Sequence, residues 1–511
     1  MFKKLLIANR GEIAIRIIRA CRELSIRTVA VYSETDANAR HVREADEALL
    51  IGPPAPRDSY LRVDKLLEAA RATGAEAIHP GYGFLSENAD FADAVRAAGL
   101  IFIGPTGDSI RAMGSKTGAR ALMEQAGVPV VPGFQLPSPS RRVAEGEGEL
   151  VSFQQAAARL GYPVLVKAAG GGGGRGMRVV RAPEALAEAL ASAQAEAQSA
   201  FGDGAVFLEK YLEHAKHIEF QVFGDAHGNV LHLFERECSV QRRHQKLIEE
   251  APSPLLNQHP ALRAQMAQAA VAAARAVNYQ NAGTIEFIVD PATLNFYFLE
   301  MNTRLQVEHP VTEALTGLDL VHLQLRMAAG EPLPFTQEQI TARGHALECR
   351  VIAEDPAQNF LPSVGKVLLA REPFGPGVRI DSGYGAGDEV SPHYDSLIAK
   401  VITHAPTRAE ALARMQTALA GYALLGLTTN LEFLQAVLSG EDFVSGAMTT
   451  RLIQEKFANW KPNQTDSALA LAAVALAESL SAPQTPSASL TVSHADTSPW
   501  ARLDGFRIGG A

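Results

Sequence analysis

The stretch Thr284–Pro310, TIEFIVDPATLNFYFLEMNTRLQVEHP, decides the fold. Ile285, Phe287 and Val289 alternate with Thr284, Glu286 and Ile288, a period of two that predicts a strand with Glu286 on the face away from the apolar side chains. Asp290–Asn295 reads as a turn, and Phe296–Asn302 as the returning strand with Glu300 and Asn302 on one face. An odd-numbered loop centred on Thr293 would set Glu286 directly opposite Glu300. Opposed carboxylates repel unless a cation lies between them. Mg²⁺ suits such a pair, because it takes oxygen ligands and needs only one or two carboxylates beside substrate phosphates. A solvated hairpin face is the commoner setting for any single Glu, but both strands are apolar enough to lie centrally.

If the chain stays extended past Asn302, Arg304, Gln306 and Glu308 keep the same parity and continue one polar stripe. Arg304 offers a planar fork for a small oxyanion such as bicarbonate. Glu308 is placed as a base that stays ionised and acts by position rather than by basicity. A salt-bridged loop is the alternative for an isolated Arg–Glu pair.

Upstream, Lys167–Met177 reads KAAGGGGGRGM between the strand-like segments Pro163–Ala168 and Met177–Val180. Glycines there let backbone N–H groups approach an anion and let the loop close over it. A flexible linker would have polar flanks. The order matches neither GxxxxGK[ST] nor a GxGxxG that opens a helix. Gln241–Lys246, QRRHQK, concentrates basic side chains in an otherwise acidic chain. A charge run is usually a solvated face; beside a phosphate lid and a Mg²⁺ site it fits stabilisation of a transferring phosphoryl group.

The chain has 511 residues, which predicts three or more domains. It is 47% hydrophobic and 20% charged, with a net charge of −9, a balance that argues against nucleic-acid and membrane partners. Cys21, Cys238 and Cys349 are too few and too scattered for a disulfide framework. The apolar run after Lys3 and Lys4 is too short for a secretion signal, so a cytoplasmic location is expected. Strand-like residues 2–8, 28–32, 77–79 and 100–103 alternate with helical segments 11–24, 62–73 and 91–98, which implies a parallel sheet covered on both faces. Residues 132–149 read as a surface excursion and Pro183 as the first turn of an Ala-rich helix. Strands are expected at 206–209, 217–223 and 230–237, with a helix over 260–277. Beyond 455, an Ala-rich helix at Ser467–Leu480 and a linker over 481–499 precede Trp500–Ala511, which reads as the opening of another domain.

Together these segments resemble the biotin carboxylase family of ATP-grasp ligases over residues 2–455. The resemblance rests on LIANRGEIAIRIIRAC, AIHPGYGFLSEN, IFIGP, GGGGGRGMRVV, ERECSVQRRHQKLIEEAP, EMNTRLQVEHPVTE, GHALECRVIAEDP and YDSLIAK. It implies an α/β fold: a Rossmann-like N-terminal domain over 1–114, an ATP-grasp domain over 115–334 with a mobile glycine-rich lid at about 132–208, and an α+β C-terminal domain over 335–455. It implies that Lys116, Lys167 and Gly172, Gly173 and Gly174 bind ATP phosphates, that Glu209 and Leu212 hold the adenine, and that His217, Gln241 and His244 line the nucleotide site. Glu286, Glu300 and Asn302 would hold Mg²⁺ (or Mn²⁺). Arg304, Gln306 and Val307 would seat bicarbonate, with Glu308 as its base and Lys246 on the carboxyphosphate. Arg350, Tyr82 and Asp395 would meet biotin. Arg19 and Glu23 resemble positions at a dimer interface.

No Lys lies between two Met residues, so biotin is expected on a carrier domain or protein outside these residues. TSPWARLDGFRIGG, Thr497–Gly510, resembles the domain that follows the carboxylase unit in α subunits of acyl-CoA carboxylases, particularly the 3-methylcrotonyl-CoA type. Geranyl-, propionyl- and acetyl-CoA carboxylases stay open, and pyruvate and urea carboxylases are less favoured. The partners implied are the carrier, a carboxyltransferase β subunit, and a second copy in a homodimer or larger hetero-oligomer. The competing readings are a ligase joining a carboxylate to an amine and a catalytically silent assembly subunit.

Overall fold

Leu5, Leu6 and Ile7 have no solvent-exposed surface and form the centre of the first sheet. The strands are β1 (Lys4–Ile7), β2 (Arg27–Ser33), β3 (Glu47–Gly52), β4 (Ala77–His79) and β5 (Ile101–Phe102). They pair in parallel in the order β3-β2-β1-β4-β5. Leu5 and Ile7 pack with Ile13, Ile17 and Ile18 of the helix Gly11–Glu23, while Leu6 faces Leu66, Phe91 and Val95 on the other side. This is the Rossmann-like arrangement expected, with β3, which the half-polar EALLIG does not announce, as an added edge. The strand order reverses between β1 and β4, so their carboxyl ends open a crevice. Asn9 spans it, its amide donating to Pro80 O at 2.7 Å and Tyr82 O at 2.8 Å.

The computed structural model describes residues 1–135, 147–168, 177–202, 204–462 and 475–476. The central glycines Gly172, Gly173 and Gly174, most of the excursion at 137–149, and nearly all of the Ala-rich segment, linker and tail lie outside the described residues. Residues 1–461 form one compact unit.

A four-stranded antiparallel sheet frames the glycine run: β6 (Gly133–Gln135), β7 (Val164–Ala168), β8 (Arg178–Val180) and β9 (Val206–Lys210), ordered β6-β9-β7-β8. Val164, Val166 and Leu208 pack beneath the helices Glu147–Leu160 and Leu186–Phe201. Pro183 opens a 3₁₀ turn, Pro183–Ala185, that leads into the second helix.

The site lies on a larger antiparallel sheet built from β10 (Lys216–Gly224), β11 (Val230–Arg242), β12 (Gln245–Ala251), β13 (Asn281–Val289), β14 (Phe296–Asn302), β15 (His345–Ile352) and the strands Leu397–Ala405 and Val378–Ser382. The order is β14-β13-β10-β11-β12-β15, then Leu397–Ala405 and Val378–Ser382. Pairing of Ile248 with Cys349 and Glu249 with Glu348 carries this sheet without a break from the central segment into the C-terminal one. On one face Ile218, Phe220, Ile285 and Phe287 meet Met266, Ala270 and Ala273 of the helix Pro260–Ala276. On the other, β10 presents His217, Glu219 and Gln221, all buried. Burying that many polar groups is tolerated only where each finds partners.

Candidate active site

The hairpin turn at 290–295 has six residues, not an odd number. Glu286 nevertheless pairs with Glu300, because a bulge shifts the register: Phe287 pairs with Phe298, and Leu299 is the extra residue. Glu286 also pairs with Glu219 on β10, and Glu219 with Arg236 on β11. One row across four strands therefore reads Glu300, Glu286, Glu219, Arg236. Like charges directly opposite destabilise a sheet, so the row requires cations.

Those cations are present. Arg236, fully buried, donates to Glu219 Oε1 at 2.6 Å, Gln221 at 2.8 Å, and Thr284 and Thr312 at 3.0 Å. Lys246 Nζ donates to Glu219 Oε2 at 2.5 Å, Glu286 Oε1 at 2.7 Å and Glu308 Oε1 at 2.5 Å. Three carboxylates thus use all three ammonium hydrogens. His217 Nε2 lies 2.9 Å from Glu286 Oε2, and its pKa is raised: burial lowers it, but the charge of Glu286 prevails. Burial raises the Glu286 carboxyl, yet Lys246 and His217 together bring it below the ordinary range.

Lys246 reaches this position from a tight turn. Arg242 pairs with Gln245, and the two residues between them, Arg243 and His244, have φ of +50° and +66°. Such hairpin turns normally use Asn-Gly or Asp-Gly, since side chains resist positive φ. Non-glycine residues held there mark a segment whose side chains matter. Gln241 Nε2 is 3.5 Å from His217 Nδ1 and Gln241 pairs with Lys246, which brings the three together at one end of the central strands β10, β11 and β12.

β14 ends at Asn302, so residues 303–308 form a loop and the extended stripe expected from parity is not formed. The same side chains converge by another route. Arg304 donates to Glu87 Oε2 at 2.9 Å, Asn302 Oδ1 at 3.0 Å and Gln306 Oε1 at 3.2 Å. Gln306 donates to Glu286 Oε1 at 3.2 Å. The Val307 carbonyl accepts from the fully buried Lys400 at 2.8 Å. Glu308 immediately precedes the helix His309–Thr316 without capping it through its side chain, and points both oxygens at cations: Oε1 at Lys246, and Oε2 at Arg350 Nη2, 2.9 Å away. Burial alone would raise its carboxyl, but Lys246, Arg350 and Arg236 hold it well below the usual range.

The remaining predicted residues are more dispersed. Lys167 Nζ donates to Glu209 Oε2 at 2.8 Å, and Arg120 approaches Glu209 Oε1 at 3.3 Å. Lys116 begins the helix Lys116–Gln125; burial and the charge of Lys167 lower its pKa, so two cations here share a region that would welcome an anion. Leu212 is half-buried beyond β9. Tyr82 sits in the crevice of the first sheet, its ring 6.0 Å from Lys400 Nζ, whereas Asp395 is exposed and accepts from the Leu397 N–H at 2.8 Å. Arg19 is 4.0 Å from Asp381, and Glu23 is 3.1 Å from His322.

Glu219, Arg236, Glu87 and Glu249 surround these side chains and hold their charged groups in place, and nothing in the sequence motifs singled them out. For Glu219 a signal existed: His217, Glu219 and Gln221 alternate with Ile218, Phe220 and Val222. Glu87 and Glu249 show no such pattern, because their partners Arg304 and Arg350 lie far off in sequence.

The hairpin donors fit a hard cation. Glu300 is exposed to solvent and has no hydrogen-bond partner among the described residues; its carboxyl is raised by partial loss of hydration in the cleft and by the charges of Glu286 and Glu87. Asn302 Nδ2 bonds Glu286 Oε1 at 2.9 Å, which brings the amide to the same oxygen cluster. Two carboxylates and an amide oxygen form a donor set suited to Mg²⁺.

A parallel N-terminal sheet, a glycine run flanked by antiparallel strands, and a carboxylate-bearing hairpin on a second antiparallel sheet define an ATP-grasp ligase. Three family models match in succession: biotin carboxylase, N-terminal domain, over residues 1–110; carbamoyl-phosphate synthase L chain, ATP binding domain, over 115–336; and biotin carboxylase C-terminal domain over 348–455. The chain belongs to the biotin carboxylase family. It is 52% identical over 455 residues to the pyruvate carboxylase subunit from Methanothermobacter thermautotrophicus, covering 89% of this chain and 90% of that one. It is 48% identical over 509 residues to the mitochondrial methylcrotonoyl-CoA carboxylase alpha subunit of Dictyostelium discoideum, covering 99% of this chain and 70% of that one. The biotin carboxylase domain dimer of Hydrogenobacter thermophilus 2-oxoglutarate carboxylase, solved with MgADP, ADP and bicarbonate, superposes with a TM-score of 0.84 at 47% identity, covering 91% of this chain and all of that one. Among the described residues no helix is long and apolar enough to cross a membrane.

Proposed function

We propose that the chain carboxylates biotin on a carrier, using ATP and bicarbonate, as the first half-reaction of an acyl-CoA carboxylase. The observation that carries this reading is Glu308, a fully buried carboxylate with one oxygen on Lys246 and the other on Arg350. Two cations on one carboxylate bring a base, a phosphoryl-stabilising ammonium and an oxyanion-binding guanidinium together.

In this scheme Arg304, Gln306 and the backbone of Val307 seat bicarbonate, and Glu308 takes its proton. A bicarbonate oxygen attacks the γ-phosphorus of ATP, the bond to the β-phosphate oxygen breaks, and ADP leaves. Lys246 contacts the resulting carboxyphosphate by releasing one of its three carboxylates. Carboxyphosphate divides into CO₂ and phosphate, and the phosphate accepts the N1′ proton of biotin. Arg350 stabilises the enolate of biotin while N1′ captures CO₂, with Tyr82 and Asp395 toward the biotin end. Lys116, Lys167 and the lid glycines Gly172, Gly173 and Gly174 hold the ATP phosphates. Glu209 and Leu212 hold adenine, and His217, Gln241 and His244 line the nucleotide site. Glu286, Glu300 and Asn302 would hold Mg²⁺ or Mn²⁺, which supplies charge neutralisation for the phosphates.

These roles accompany a division into an N-terminal domain over 1–114, an ATP-grasp domain over 115–334 with its lid at about 132–208, a C-terminal domain over 335–455, and a following segment over 456–511. The 3-methylcrotonyl-CoA type is the acceptor we favour, because the Dictyostelium relative aligns over 99% of the chain, whereas the Methanothermobacter one covers 89%. Its partners would be a biotin carrier and a carboxyltransferase β subunit, with a second copy in a homodimer or larger assembly. Three free, buried cysteines accord with a reducing, cytoplasmic setting.

The test is ATP hydrolysis with bicarbonate, with and without free biotin. Turnover should depend on bicarbonate and rise with biotin. Hydrolysis stimulated only by an amine or amino acid would refute the assignment.

A further inference from the structure

Arg350 is held from behind. Its Nε and Nη2 lie 2.6 Å and 2.5 Å from Glu249 Oε1, and Nη2 also reaches Glu308 Oε2 at 2.9 Å. Nη1 has no partner among the described residues, so the Nε/Nη2 edge of the guanidinium is occupied and the other end is free. Glu249 has no exposed surface, and it stands on β12 directly opposite Glu348 of β15, two residues before Arg350. The Arg350 strand is fixed as well: Asn430 accepts from the Ile352 N–H at 2.9 Å and donates to Arg350 O at 3.0 Å.

Burying a carboxylate this completely is costly unless it holds a cation in place. Arg350 already has Glu308 as a charge partner, so neutralisation alone does not require a second acid. Without Glu249, the long arginine side chain would be tethered only at Glu308 and free to swing about it. Glu348, whose two oxygens find no hydrogen-bond partner, is driven well above the ordinary carboxyl range by burial. Burial also pushes Glu249 up to about 7, against the pull of Arg350, yet it is Glu249 and not Glu348 that meets the guanidinium.

We propose that Glu249 is a positioning residue for biotin carboxylation: it clamps the Nε/Nη2 edge of Arg350 and so aims Nη1 at the oxyanion that develops on biotin. This rests on the function proposed above and adds a residue to it. A guanidinium fixed on one edge presents a single N–H direction to the substrate, which is how orientation is converted into rate. Carboxyphosphate formation involves Lys246, Arg304 and Glu308, none of which is hydrogen-bonded to Glu249; the clamp bears on Arg350 alone.

The test uses the full chain with free biotin, bicarbonate, Mg²⁺ and ATP. Glu249→Gln should lower the biotin-stimulated kcat by about 10- to 100-fold. The slow bicarbonate-dependent ATP hydrolysis without biotin, and KM for ATP and bicarbonate, should stay within about twofold. Added to Arg350→Gln, Glu249→Gln should cost no more than about a further twofold, because a residue that acts through Arg350 has nothing left to act on. An unchanged biotin-stimulated rate would overturn the proposal, as would a parallel fall of all activities or full additivity in the Arg350→Gln background. Glu249→Asp, which keeps the charge but shortens the arm, is read by the same criteria if the Gln variant fails to fold. Failure of both to fold would assign Glu249 to stability instead. A wild-type chain whose turnover ignores biotin would refute the proposed function itself, a result distinct from any of these.

Discussion

Glu286 and Glu300 stand opposite each other across β13 and β14 because Leu299 bulges out of the pairing. Without a cation between them the two carboxylates repel, and the raised Glu300 carboxyl records that repulsion along with partial loss of hydration in the cleft. Glu300→Gln should therefore act in opposite directions on two measurements. In EDTA the variant should melt higher than wild type, since directly opposed like charges cost up to about 1 kcal/mol. Its Mn²⁺ affinity, read by electron paramagnetic resonance, should fall at least about 10-fold. A variant that binds Mn²⁺ normally would remove Glu300 from the ligand set.

Glu308→Gln keeps the shape of the site but removes the charge that Lys246 and Arg350 share. Biotin carboxylation should drop by about 10²- to 10⁴-fold, the range for losing a positioned base. ATP affinity, followed by calorimetric titration, should be retained, because Glu308 is separate from the predicted phosphate and adenine contacts. Full activity in this variant would show that another group takes the bicarbonate proton.

Lys246→Met strands Glu219, Glu286 and Glu308 in the interior with one fewer cation. Breaking a buried ion network in this way costs about 3–5 kcal/mol, so a large drop in melting temperature at neutral pH is expected. In the wild type Glu286 and Glu308 have depressed carboxyls, so their stabilisation is present above the ordinary carboxylate range and fades as pH falls through it. In the variant these carboxyls should rise and accept protons more readily. The gap between the two proteins should then narrow from pH 7 toward about pH 5. A gap that is constant with pH would mean that Lys246 contributes packing rather than charge.

Strand parity made Glu286, Glu300 and Asn302 legible and local charge density Lys246, whereas Glu308 reaches the site through a loop and not along an extended stripe. The bulge at Leu299 could not be read from parity, since a six-residue turn plus one extra residue gives the same facing pair as an odd loop. The loop at 303–308 also escaped parity, because period two holds only while the chain stays extended. β3 was missed because an edge strand needs little apolar surface, and its Glu47 and Leu50 are partly or fully exposed. The clamp on Arg350 and the Glu87–Arg304 pair join residues 101 and 217 positions apart. Only tertiary folding brings such partners together, so composition and spacing are silent on them.

Glu12, in the first helix, gives a pH effect of a different sign. Neither of its oxygens has a hydrogen-bond partner, and its nearest cation is Lys400, 3.4 Å away. Burial pushes its carboxyl up to about 7, against the pull of Lys400. A carboxyl raised in the folded state favours folding while it is protonated, and that advantage is lost as pH rises from the ordinary range of about 4.5 through 7. At about pH 8 the penalty for the ionised form is of order 3 kcal/mol. Glu12→Gln removes the titration and keeps the shape, while Lys400 retains the Val307 carbonyl and Asp381. The melting temperature of the variant, measured by calorimetry, should gain on the wild type between about pH 5 and pH 7 and then level off. If the two curves run parallel across that range, Glu12 is ionised throughout and Lys400 is its full partner.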